Sequence, residues 1–326
     1  MDRALWFVAP CTVELRPFDV PQVARGEARV KVVCSGVSSG TEMLAYRGHM
    51  PADLQLDENI GALGGTFAYP FRYGYSCVGR VEALALDVDG FELGDLVFAF
   101  QPHQDRFVAA TSALTKLGGL EPRLAVFLPY VETALQVALD AGSVLGETIA
   151  VSGLGVLGLL VATLIQRAGG RVVGIEPEPW RQTVATELGI TAVAPDEAAG
   201  RAPGVPMVIE CSGNPAALDM ALSLLGHEGT ALVASWYGEK PVSLTLGGPF
   251  HRRRLTIRST QVSTIPASLA NRWTHSRRLA RAVELAHDLP LARLATHSLP
   301  FERAEEGYAR VDAAEEGLVH MAFGYC

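Results

Sequence analysis

Along the first third of the chain, apolar positions alternate with polar ones in short runs. ARVKVVCSGV (28–37), YSCVGRVEAL (75–84) and GDLVFAF (94–100) read as strands, because side chains two apart share one face of an extended chain. VDGFELGDLV (88–97) places turn residues between apolar strands, as an antiparallel barrel or sandwich does. Near residue 120 the period lengthens. LAVFLPYVETALQVALDAG (124–142) has helical spacing and stops at a glycine. TIAVSG, VLGLLVATLIQRAG, RVVGIE, PWRQTVATELG, VPMVIECSG, PAALDMALSLLG and GTALVASWYG follow, strand and helix in alternation from 148 to 238. That alternation predicts a doubly wound parallel sheet. A helix over 268–288, a strand, turn and short helix over 296–312, and a last strand over 317–323 are expected to return to the first domain.

The joint between TIAVS and the helix after it reads GLGVLG (153–158). A glycine pattern of this kind is informative only between a strand and a helix, which is where it stands. Gly153 allows the tight turn, Gly155 lets backbone approach a pyrophosphate, and Gly158 lets helix pack on sheet. The N–H groups at the helix start, Val156 and Leu157, would hold the phosphates. The next strand ends at Glu176, whose carboxylate can accept both adenosine ribose hydroxyls and would repel a 2′-phosphate. NAD(H) is therefore expected over NADP(H). Arg181 would line the same ribose, or take a phosphate if Glu176 turned away.

Composition narrows the classes. With 326 residues the chain suits two domains, and its formal charge of −8 argues against nucleic acid or an anionic membrane as partner. The apolar stretch 148–165 is accounted for by its glycines and is not expected to span a membrane. MDRALWFVAP lacks the apolar core of a signal peptide. The five scattered cysteines form no CxxC pair and suggest reduced, buried thiols in a cytoplasmic protein, Cys34 and Cys77 among them. His49 and His103 read as loop histidines, and the arginines of HSRRLAR (275–281) as decoration of a helix face. Those of HRRRL (251–255) read as charges at a sheet edge, or as a source of one arginine for a substrate carboxylate.

SGVSSGTEMLAYRG (35–48), YGYSCVGRV (73–81), GDLV (94–97), the glycine loop, IECSGNPAALDMALSLLGHEGTALVASWYG (209–238) and THSLPFERAEEGY (296–308) together resemble the medium-chain dehydrogenase/reductase superfamily. The resemblance implies an α/β protein: a GroES-like β-barrel catalytic domain from residues 1–118 and 290–326, with a Rossmann domain, 119–289, inserted. It implies an active site in the cleft between them, a small-molecule substrate and a homodimer. It also adds Ser212 and Thr133 to the residues expected to bind cofactor.

In zinc-dependent members the stretch matching Gly74-Tyr75-Ser76 reads Gly-His-Glu, and its histidine binds the metal. The cysteine usually found before Gly-Thr-Asp is matched by Ser39, and the third ligand falls at or near Glu132 or Thr133. Hydroxyls and a phenol are poor zinc ligands at neutral pH, and the four-cysteine structural lobe is missing, so no zinc is expected. Without metal, hydrogen-bond donors must stabilise the developing oxyanion. Tyr75 can donate a proton or only shape the pocket. Thr41 matches the hydroxyl that relays protons in zinc relatives, Ser39 can add a hydrogen bond, and Glu42 can orient a hydroxyl, pair with Arg47 or serve the turn. Trp236 and Tyr237 would stack near the nicotinamide or pack the core. The motifs look most like a zinc-free branch near the bacteriochlorophyllide a dehydrogenases, from which only the reaction type carries over: secondary alcohol to ketone, or the reverse. The alternatives are reduction of a conjugated C=C bond, as in quinone and enoyl reductases, and a nucleotide-binding sensor without turnover. The segment 52–58 in the long loop 49–71 is expected to cover the cleft mouth.

Overall fold

Strand Glu27–Gly36 buries every second side chain through most of its length, the imprint of a sheet with one face on a core. In the computed structural model, which describes residues Met1–Cys326, this strand is the centre of a seven-stranded sheet. Cys77–Leu84 pairs antiparallel on one side of it, followed by Leu96–Ala99 and Thr115–Lys116. On the other side lies Met321–Gly324, itself paired in parallel with His297–Pro300. Arg106–Ala110 joins Glu27–Gly36 from a second direction, and Arg3–Ala9 with Thr12–Pro17 makes a separate hairpin.

The chain divides into two compact units, Met1–Pro129 with Ala286–Cys326, and Tyr130–Leu285. In the first, an aromatic core gathers Phe7, Phe71, Tyr73 and Tyr308, with Phe7 stacked on Phe71 at 5.3 Å and edge-on to Tyr308 at 5.4 Å. The long loop contributes Leu56, Leu63 and Phe67 to that core, so its middle is anchored by burial. In the second unit the parallel strand order is Thr191–Val193, Arg171–Ile175, Thr148–Ser152, Val205–Glu210, Leu225–Val233 and Thr256–Ser259. The order reverses beside Thr148–Ser152, the point at which an open parallel sheet forms its ligand crevice.

Two helices differ from the sequence pattern. The expected helix 124–142 is broken into Pro122–Ala125 and Leu128–Ala141, because Pro129 fits only a first turn. The expected helix 268–288 begins at His275, where the hydroxyl of Thr274 accepts the Arg277 N–H and caps the first turn. All five cysteines are free, but Cys11 and Cys326 are exposed, contrary to the expectation of burial.

Candidate active site

In the Tyr130–Leu285 unit, the glycine loop leaves strand Thr148–Ser152 and opens helix Val156–Arg167. Gly153 has φ +86°, and a Cβ on it would stand 2.6 Å from the Ser212 Cα. A Cβ on Gly158 would stand 1.9 Å from the Gly153 carbonyl oxygen. Both contacts leave room for hydrogen only, so strand, helix and the 211–214 turn close on one another without side chains between them. Gly155 caps the helix with extended backbone, and the nearest atom to a Cβ there would be Nη1 of Arg181, at 3.4 Å. Arg181 in turn lies 4.7 Å over the Trp180 ring. The guanidinium is thus fixed beside the loop that a pyrophosphate would meet. Val156 is buried and Leu157 half-buried in the first turn of the helix.

Glu176 is buried just past strand Arg171–Ile175. One carboxylate oxygen accepts the Leu154 N–H at 2.8 Å and the other the Glu178 N–H at 3.1 Å. Glu176 therefore braces the glycine loop. A second buried acid, Glu210, ends strand Val205–Glu210 and was not anticipated. Its Oε1 accepts the Ser212 N–H at 2.6 Å and the Ser212 hydroxyl, and its Oε2 accepts the Tyr237 hydroxyl at 2.7 Å. Burial, then the Glu210 charge, pushes the Tyr237 hydroxyl up, so it stays a donor. Ser212 itself is exposed at the surface of this braced turn. Tyr237 packs its ring on the core, while Trp236 is 44% exposed.

Helix Leu128–Ala141 places Glu132 inward and Thr133 half-buried. Glu132 does not stand open to a ligand: Arg278 Nε donates to its Oε1 at 3.1 Å, and the same guanidinium reaches Gln136. Their side chains are 3% and 8% exposed for arginine and glutamate. Burial raises the Glu132 carboxyl above its ordinary value and Arg278 opposes that rise. Arg278 is therefore an interior residue, which corrects its reading as helix decoration; helix His275–Asp288 turns it inward while Arg277 and Arg281 stay outside.

The first unit carries the candidate proton-handling groups. Ser39 is exposed in the turn before helix Thr41–Tyr46, and Thr41 is half-buried at its first position. Glu42 is fully buried. Its Oε1 accepts the Ser38 N–H at 2.8 Å, while its Oε2 accepts the Tyr308 hydroxyl at 2.5 Å and lies 2.9 Å from His103 Nε2. It does not pair with Arg47, which bonds Asp312 at 2.6 Å. His103 is likewise fully buried, a correction to the loop reading: its Nδ1 lies 2.7 Å from the Ser35 hydroxyl, which lies 2.8 Å from the Tyr325 hydroxyl. Sequence spacing held no signal for this chain of partners, since Glu42 and His103 are 61 positions apart.

Tyr75 is half-buried against the same aromatic core, its ring 6.1 Å from and edge-on to that of Tyr73. Ser76 turns away to donate to the Val126 carbonyl at 2.7 Å. Burial pushes the Cys34 thiol up to about 12 and that of Cys77 well above its ordinary value, so neither is a thiolate at neutral pH. No group of three or more His, Cys, Asp or Glu side chains is arranged to hold a metal ion.

A glycine-rich strand–helix joint in a parallel sheet, and a separate unit built from both chain ends, are the parts of a dehydrogenase fold. The zinc-binding dehydrogenase family model matches residues 155–279. A 2-desacetyl-2-hydroxyethyl bacteriochlorophyllide A dehydrogenase of Cereibacter sphaeroides is 29% identical, over 92% of this chain and 91% of that protein. Two solved structures share the fold. An Escherichia coli alcohol dehydrogenase in complex with NADH has a TM-score of 0.78 at 15% identity, with 99% of both chains covered. A putative zinc-binding dehydrogenase of Sinorhizobium meliloti bound to NADP has a TM-score of 0.79 at 19% identity, again with 99% of both chains covered. The chain is thus similar to members of the medium-chain dehydrogenase/reductase superfamily.

Proposed function

We propose that this chain is a zinc-independent, NAD(H)-preferring oxidoreductase that interconverts a secondary alcohol and a ketone. The observation that carries the reading is the Glu132–Arg278 pair. Of the three positions where zinc relatives hold metal, two bear hydroxyls, Ser39 and Tyr75, and the one carboxylate is committed to a buried arginine. Such a donor set does not fit zinc, which takes thiolate, imidazole or carboxylate.

The nicotinamide cofactor, when bound, supplies or accepts the hydride. Gly153, Gly155 and Gly158, with the first-turn N–H groups of Val156 and Leu157, would seat its pyrophosphate, with Arg181, Ser212 and Thr133 about it. Glu176, a buried acid at the strand end, favours free ribose hydroxyls over a 2′-phosphate. Tyr75 would donate to the substrate oxygen, since a phenol can stabilise a developing alkoxide and pass on its proton. Thr41 and Ser39 would share that oxygen, and Glu42 would hold their turn. The relatives' printed activities agree with oxidation of an alcohol on a small molecule. Strand Thr256–Ser259 is an edge of the parallel sheet, which suits pairing with a second copy in a homodimer. No helix is long and apolar enough to cross a membrane.

The test is titration with NADH and NADPH by nicotinamide fluorescence, with zinc measured on the same sample, followed by a panel of secondary alcohols and ketones. Tighter NADH binding, less than stoichiometric zinc and turnover that falls roughly 100-fold in Tyr75→Phe support the reading. NADPH preference with reduction of enones would replace it by the conjugated C=C reductase. Binding without turnover would replace it by the sensor.

A further inference from the structure

We propose that His103 is the positioning residue for both hydroxyl-bearing stretches of the barrel unit, acting through Glu42 on the Ser38–Thr41 turn and through Gly74 on Tyr75. The inference rests on the proposed catalytic role of those hydroxyls. Its geometry stands independently.

The imidazole sits where the two stretches come together. Through Nε2 it meets the Glu42 carboxylate at 2.9 Å, whose other oxygen holds the Ser38 N–H at 2.8 Å. Glu42 thereby closes the turn that presents Ser39 and Thr41, and His103 supplies one of the donors that keep a fully buried carboxylate in place. A carboxylate at Nε2 makes that nitrogen an N–H donor, while Nδ1 meets the Ser35 hydroxyl at 2.7 Å and that hydroxyl meets the Tyr325 hydroxyl at 2.8 Å. Both ring nitrogens are thus spent on fixing the ring.

The flat side of the contact is made by Gly74. Its φ is +105°, and a Cβ there would stand 2.5 Å from His103 Cδ2 and 2.7 Å from Nε2. Only a glycine backbone lets the imidazole lie this close, and Tyr75 is the next residue. Ring contacts with Phe323 at 5.5 Å and Tyr308 at 6.3 Å close the remaining sides. Moving the ring therefore shifts the Ser38–Thr41 turn and the Gly74–Tyr75 backbone together.

Two variants separate the contact to Glu42 from the contact to Ser35. In His103→Gln the side-chain amide nitrogen stands near the place of Nε2 and can still donate to Glu42. In His103→Asn the shorter side chain reaches only the place of Nδ1, keeping Ser35 and losing Glu42. Each keeps one partner, and Asn is smaller than Gln by one methylene. Amide hydrogen exchange read on peptides spanning 38–46 and 73–78 is expected to speed up roughly 10-fold in the Asn protein and to stay near wild type in the Gln protein. With NAD+ and a secondary alcohol that wild type oxidises, kcat should fall at least roughly 10-fold in Asn alone. The KM for NAD+ should be unchanged in both. Equal exchange in the two variants, whether both slow or both fast, overturns the proposal, as does a kcat that falls alike in both. If wild type turns over no alcohol, the proposed function has failed, and the exchange contrast alone still decides the role of His103.

Discussion

Replacing Arg278 by methionine removes a cation from a site where almost no water can replace it. The Nε–Oε1 separation of 3.1 Å, taken at an effective dielectric constant of about 20, corresponds to an attraction of about 5 kcal/mol. Breaking such a buried pair from one side costs about 3–5 kcal/mol, because the surviving carboxylate is left without a countercharge. Glu132 keeps no compensation from Gln136, whose carboxamide oxygen is itself bound to the lost guanidinium. The sign with pH follows. Burial already raises the Glu132 carboxyl, and loss of Arg278 raises it further. A carboxyl whose folded value lies above its unfolded value contributes stability that is complete below the unfolded value and is lost as pH rises through the folded one. Arg278→Met should therefore be closer to wild type at pH 5 than at pH 8. Urea unfolding followed by tryptophan fluorescence at both pH values measures this, and Glu132→Gln/Arg278→Met should recover most of the loss at pH 8. A deficit under about 1 kcal/mol at pH 8, or one independent of pH, would refute the account of a charge pair sealed in the interior.

Two further substitutions probe the nucleotide unit. Gly158→Ala forces a Cβ against the Gly153 carbonyl, 1.9 Å away, so NADH affinity should fall at least roughly 10-fold, with stability down by about 1–3 kcal/mol; wild-type affinity in a fluorescence titration would contradict the close approach. Tyr237→Phe removes the donor to Glu210 Oε2, should cost about 1–3 kcal/mol in thermal unfolding and should weaken NADH binding through the Ser212–Gly213 turn.

Legibility in the sequence followed range. The glycine loop, the alternation of strand and helix, and the α/β class depend on spacings within about 30 residues, which periodicity and turn chemistry record directly. His103 and Arg278 escape the sequence pattern for one reason: a charged or polar residue is interior where its partner is, and here the partner is set by the fold. Arg278 meets Glu132 from 146 positions away. HSRRLAR has the look of a solvated helix face until one knows that one arginine in it points at a buried glutamate. Glu42 stands out in its motif, yet Arg47, one of the partners open to it there, lies five residues along and bonds Asp312 instead. The loop 49–71 shows the converse: its apolar residues have no period, so their anchoring in the core is invisible before the core exists.

The pairing of Met321–Gly324 with Glu27–Gly36, and the bond from Ser35 to Tyr325 across 290 positions, fix an order of events during synthesis. Residues 130–285 emerge from the ribosome complete, with every strand of their parallel sheet supplied from within. The barrel must wait, its central strand lacking a neighbour, until the residues near 325 have been made. Closing so long a loop is slow, and domains assemble as units while the chain is still growing. Nascent chains halted before residue 321 should thus hold a formed nucleotide-binding unit tethered to an unfinished barrel with one exposed sheet edge, the species on which a chaperone would act.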